Sequence, residues 1–123
     1  MKGVKRVSTT VSVAAGLGSG MTSSAITLET DTTKKRVRYI AIYEHSVSAG
    51  EEYQIQIEGT AGVHQEYTHK NSFLSTAAVG HSDRAKLVDY DPNKTIQVKV
   101  KNIGSGSTAA VIKFDVELIH VDE

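Results

Sequence analysis

Apolar and polar residues alternate with a period of two along most of the chain. Tyr53-Gln-Ile-Gln-Ile-Glu58 is the cleanest run, with Tyr53, Ile55 and Ile57 on one side and Gln54, Gln56 and Glu58 on the other. Successive side chains of an extended backbone point to opposite faces, so this pattern predicts a half-buried β-strand. Thr95–Asn102 repeats it, setting Ile96, Val98 and Val100 inward and Gln97, Lys99 and Lys101 outward. Ala109–Val121 extends it, with Ile112, Phe114, Val116 and Leu118 on one face and Lys113, Asp115, Glu117 and Ile119 on the other. These two apolar rows are expected to face each other in one core, and Gly104-Ser-Gly-Ser107 to join their strands as a hairpin. Val4–Val13 is a further strand, with Val7, Thr9, Val11 and Val13 on one face. Lys2, Lys5 and Arg6 ahead of Val7–Ala15 look like the start of a secretory leader, but Ser8, Thr9, Thr10 and Ser12 interrupt the apolar run that a leader needs. Arg36–Glu44 carries Val37, Tyr39, Ala41 and Tyr43 on one face and Ile40 and Ile42 on the other. Apolar groups on both faces predict a central strand or one that touches a partner.

The periodic runs are separated by turn-forming residues. Gly16-Leu-Gly-Ser-Gly20 releases the chain before a strand at Ala25–Thr30, and Asp91-Pro-Asn-Lys94 fits a β-turn. Gly59–Ser72 holds no sustained period and is expected to be the longest loop, while Phe73–Val79 reads as a strand or a short helical turn. No segment has the span and period of an amphipathic helix. Val and Ile far outnumber Leu in the 123 residues, and branching at Cβ favours the pleated sheet. The expectation is a single all-β domain over residues 1–123, an antiparallel β-sandwich or jelly roll of seven to eight strands, with residues 1–13 as an N-terminal arm or edge strand. A small closed barrel is the alternative.

Charge and chemistry narrow the function. The 14 basic and 14 acidic residues cancel, so no overall field draws the chain to nucleic acid or anionic lipid. No apolar stretch is long enough to span a membrane as a helix. There is no Cys, which excludes disulfides, thiolate nucleophiles and Cys-ligated zinc. His64 and His69 stand five residues apart, a spacing that sets them on opposite faces of a strand, so a metal would need His45, His81 or a distant acid as well. His81-Ser82-Asp83 has the residue types of a hydrolase triad but lacks the nucleophile elbow and the separation that the fold must bridge. Asp89-Tyr-Asp91-Pro-Asn93 opens like a calcium loop, yet Lys94 and Val100 stand where that loop needs Gly and an acid; a plain turn is the reading, with a looser calcium site as the alternative. Gly16–Gly20 lacks the remainder of a phosphate cradle, and Asn93-Lys94-Thr95 is a glycosylation sequon that matters only in a secreted chain. No catalytic residue, cofactor or metal is expected.

The remaining signal is the distribution of charge. Lys2, Lys5 and Arg6 lie near one end of the sequence, Lys34, Lys35, Arg36 and Arg38 form a second basic cluster, and Asp115, Glu117, Asp122 and Glu123 are acidic. Such clusters either shield sheet edges from unwanted pairing or dock against complementary patches on a partner. The arm Met1–Val13, Tyr53–Gly59, Asp91–Asn102 and the terminal strand to His120 together resemble the auxiliary decoration or cement proteins of tailed-phage capsids. The resemblance is one of composition and architecture. It implies a non-enzymatic homo-oligomer, trimeric in the type case, made in the host cytoplasm and seated on the virion surface, where it fastens the major capsid protein. The seven basic residues just named are then the candidate contacts. A carbohydrate-binding module is the alternative, for which Tyr67 and Tyr90 are the free aromatics once Tyr39, Tyr43 and Tyr53 are assigned inward.

Overall fold

A computed structural model of the chain describes residues 4–13, 18–48, 50–60, 62–73, 86–104 and 111–122. Eight strands make up the fold: β1 (Lys5–Val13), β2 (Ile26–Thr27), β3 (Arg36–Val47), β4 (Tyr53–Gly59), β5 (Gly62–His69), β6 (Lys86–Tyr90), β7 (Ile96–Asn102) and β8 (Ile112–Val121). They form two antiparallel four-stranded sheets, ordered β1-β8-β3-β6 and β2-β7-β4-β5. The protein is an all-β sandwich. Its pairings are nested: β1 with β8, β2 with β7, β3 with β6 and β4 with β5, while β3–β8 and β4–β7 stitch the pairs into sheets.

The expected core rows are present. Ile112, Phe114, Val116 and Leu118 from one sheet and Ile96, Val98 and Val100 from the other are all buried in a single cluster. The expected hairpin between them is not. β7 pairs with β4 and β2, and β8 with β1 and β3, so the connection crosses between sheets instead of turning within one. Alternation reports which face of a strand is buried and is silent on which strand lies beside it. Tyr53 and Phe114 meet across the core with ring centroids 5.1 Å apart.

Two bulges in β3 alter its faces. Val37 lies opposite His120 and Tyr39 opposite Ile119, so Arg38 is an extra residue. Val37 therefore joins Ile40 and Ile42 in the core, while Tyr39, Ala41 and Tyr43 stay on the outer face. The period-two expectation that placed all four together fails at that residue, as a bulge requires. A second slip leaves Glu44 opposite Phe114 and Ser46 opposite Lys113, with His45 as the extra residue. Tyr39 and Tyr43 are half-buried, not the inward residues expected.

Gly59–Ser72 is not a loop. Gly62–His69 pairs with β4 as β5, and Lys70–Ser72 forms one 3-10 turn before the buried Phe73. The sequence of β5 holds no period because its pairing with β4 slips twice, between Ile55/Ile57 and between Ile57/Glu58. The Ala25–Thr30 strand shrinks to two residues, although Ser23 and Leu28 still donate backbone hydrogen bonds to Val100 and Ile96. At the same end as Tyr53, Asn102 donates to Glu51 at 2.9 Å and accepts from the Gly104 N–H at 2.8 Å. A Cβ at Gly104 would stand 2.5 Å from the Glu52 nitrogen, so this close approach of two backbones requires glycine.

Candidate partner-binding edge and charged ends

β1 lies at the margin of its sheet. Its side chains alternate between the half-buried or buried Val7, Thr9, Val11 and Val13 and the exposed Ser8, Thr10 and Ser12, as the sequence predicts. Lys5–Val13 thus takes the place of an edge strand, not of a detached arm. Beside its first half runs a shallow groove of about 620 Å³, walled by Lys5–Ser8 and by Glu29–Thr32. The second wall is fixed from three sides. Glu29 N–H donates to Thr9 Oγ1 at 2.9 Å, Lys5 Nζ lies 3.1 Å from Asp31 Oδ2, and Asp31 N–H donates to His120 Nε2 at 3.0 Å. That last bond places the His120 proton on Nδ1, which donates to the Leu118 carbonyl at 3.1 Å. Both nitrogens of this fully buried ring are satisfied. Asp31 Oδ1 also accepts from the Thr33 N–H and hydroxyl, and these bonds, with Lys5, hold its carboxyl far below the usual range.

The expected basic contacts are brought close to acids of the same chain. Because β1 and β3 both lie against β8, the basic clusters become neighbours of the acidic one: Arg6 pairs with Glu117 at 3.2 Å and Lys34 with Asp122 at 3.3 Å. Arg36 stands 3.8 Å from Asp89. Lys35 is exposed and Arg38 occupies the β3 bulge; neither has an ion-pair partner among the described residues. Lys2 lies outside the described residues.

A second titratable group, missed by sequence reasoning, sits at the opposite end. Glu44 shares the β3 face of Ile40 and Ile42, opposite Phe114, and at the end of that row its carboxylate accepts from the Tyr53 hydroxyl at 3.0 Å and meets Lys70 Nζ at 3.1 Å. Lys70 also approaches Glu52 at 3.8 Å and lies 5.3 Å from the centre of the Tyr53 ring. Burial, and then Glu44, push the Tyr53 hydroxyl well above the usual phenol range. His69 Nδ1 accepts from the Asn71 N–H at 3.1 Å, so its Nε2 carries the proton and donates to Glu52 at 3.0 Å. Neither nitrogen is left to take a proton from a nucleophile, a requirement for general-base work. No local pattern marks this group, since Glu44, Tyr53 and Lys70 come from three elements that only the fold brings together.

The other chemical candidates resolve as follows. Thr10, Asp115 and His45 form a row on the outer face, with Thr10 Oγ1 donating to Asp115 at 2.7 Å and His45 Nε2 2.8 Å from the same carboxylate. The carboxylate is central, whereas a hydrolase triad needs the imidazole between acid and hydroxyl. Thr10 first, then His45, lower the Asp115 pKa. His64 stacks on Tyr90, ring centroids 4.8 Å apart, across the open margin between the sheets. Tyr90 is therefore buried, contrary to its expected role as a free aromatic, and Tyr67 lies under Lys101 Nζ at 5.8 Å. Asp91 accepts from the Asn93 N–H at 2.9 Å, which makes the Asp-Pro-Asn segment a local turn. Among the described residues no group of three or more His, Asp or Glu is placed to hold a metal. His81-Ser82-Asp83 and most of Phe73–Val79 and of Gly104–Ser107 lie outside the described residues. No family model matches the chain, and neither a curated protein nor a solved structure matches it.

Proposed function

We propose that the protein is a non-enzymatic structural component of the capsid-decoration type, a homo-oligomer that binds a coat-protein lattice on the virion surface. The nested order of its strands supports reading the sandwich as a jelly roll, a wind shared by viral capsid and lectin domains. The observation that carries the reading is what fills that wind. Tyr53, Phe73, Phe114, Ile40, Ile42 and Ile55 are fully buried between the sheets, so among the described residues the interior is filled with side chains, which favours edges and polar surfaces as the working surfaces. The charged side chains largely pair within the chain, which suits a protein that must stay folded as an individual before it joins a lattice. A carbohydrate module is the second reading. It is weakened by the burial of Tyr90 and the cation seated over Tyr67, since sugar platforms need open aromatic faces.

Light scattering across a concentration series, with a glycan array, tests the proposal. A discrete oligomer that retains no glycan is expected. A strict monomer that captures a sugar would overturn it in favour of the second reading.

A further inference from the structure

We infer that the free edge of β1 is the contact between copies, and that it is filled by β1 of a second copy running antiparallel about Thr9. The inference rests on the oligomeric reading above and names its interface. Among the described residues β1 pairs only with β8, over nine consecutive residues and with no register break, and no other described strand takes its far side. An edge of that length and regularity is a template for another strand unless something blunts it.

A second copy of the strand meets this edge in phase. Turned about Thr9, the strand meets its own copy with Val7 opposite Val11, Ser8 opposite Thr10 and Arg6 opposite Ser12. Inward residues therefore meet inward residues, and exposed hydroxyls meet exposed hydroxyls, so both cores continue across the junction in phase. Charge selects the direction. A parallel arrangement would place Lys5 on Lys5 and Arg6 on Arg6, whereas the antiparallel one separates the two Lys5 positions by eight residues, about 27 Å at the strand rise. Arg6 comes to the junction already paired with Glu117. The contact is isologous, so it joins copies in twos, either as a dimer or between neighbouring clusters on a lattice.

The chain contains no Cys, which allows a register-specific test. Ser8→Cys and Thr10→Cys proteins, both substituted at exposed positions, are purified separately, mixed, and oxidised. In the inferred register Ser8 of one copy stands directly opposite Thr10 of the other, at about 4.5 to 5.5 Å between Cα atoms, within disulfide reach. Each variant alone offers only the diagonal, about 7 to 8 Å, which is beyond it. A crosslinked dimer on a non-reducing gel that forms in the mixture and not in either protein alone is expected. If the mixture fails to crosslink while light scattering still shows a discrete oligomer, the edge contact is wrong and the oligomeric reading stands. A strict monomer at high concentration would overturn both.

Discussion

β1 and β5 are edge strands of nearly equal length, nine and eight residues, one in each sheet. β1 holds its register from Lys5 opposite His120 to Val13 opposite Ile112. β5 slips twice against β4, and the residue at its second slip, His64, leaves the ladder to stack on Tyr90 of the other sheet. Each slip twists and interrupts the row of backbone groups, so β5 makes a poor template, while β1 remains a good one. The same contrast explains why the two margins depend on different chemistry. β1 is held by carboxylates, through Lys5–Asp31 and Thr10–Asp115, whereas β5 adds two stacked rings at its margin with β6 to carboxylate contacts of its own, His69–Glu52 and Gln56–Glu66.

Both edges rest on one core, and breaking it should erase the difference between them. Phe114→Ala removes the ring that stacks on Tyr53 and should cost about 3 to 5 kcal/mol, measured by denaturant unfolding. Loss of that size in a fully buried position would loosen β1 and β5 together. If β5 amides keep their protection from hydrogen exchange while β1 loses it, the two sheets do not share one cooperative core.

His120→Phe acts on the β1 side alone. The ring volume is kept, while the Asp31 N–H loses its acceptor and the Leu118 carbonyl its donor. Leaving such groups unpaired should cost about 1 to 3 kcal/mol and free the Glu29–Thr32 wall of the groove. Faster exchange at Asp31 than at β5 amides is the expected signature; unchanged exchange at Asp31 would remove His120 as the anchor of that wall.

His64→Ala acts on the β5 side and should cost about 0.5 to 1.5 kcal/mol, the usual worth of a ring pair. It also changes a titration. Burial pushes the Tyr90 hydroxyl up to about 12 from 10.0. The fold therefore favours the protonated phenol, a contribution that is intact below pH 10 and is lost as pH rises through 12. Without the His64 ring, Tyr90 should ionise closer to 10, visible as an earlier rise in phenolate absorbance. An unchanged curve would mean that the ring does not cover it. Gly59 belongs to the same device, since a Cβ there would stand 2.5 Å from His64 Nε2.

What could be read from the sequence follows the same division. β1, β4, β7 and the first half of β8 keep alternation, and their buried faces were legible residue by residue, whereas β8 from Val116 onward is buried on both faces. β5 and the faces of β3 were not, because an extra residue such as Arg38 or His64 reverses the phase and only the partner strand reveals it. The charge clusters were visible, but their mutual neutralisation depends on β1 and β3 lying beside β8 and on β3 lying beside β6, long-range pairings that no local pattern records. The Glu44–Tyr53–Lys70 group was invisible for the same reason.

The smallest expected effect is that of mild acid, and it discriminates the edges most directly. Asp31 is held low by Thr33 and Lys5, and Asp115 by Thr10 and His45, so in each case folding favours the ionised carboxylate. A depressed carboxylate contributes stability that is complete above its unfolded pKa, near pH 4, and that fades as pH falls through its folded value. Both carboxylates tie down β1, through Lys5 and through Thr10, and both are open enough to solvent for screening to keep the contribution modest. Below pH 4, after correction for the intrinsic rate, β1 amides should therefore lose protection before those of β5, and added salt should narrow the gap. Protection lost first in β5 would show that its two bulges weaken an edge more than two protonated carboxylates do.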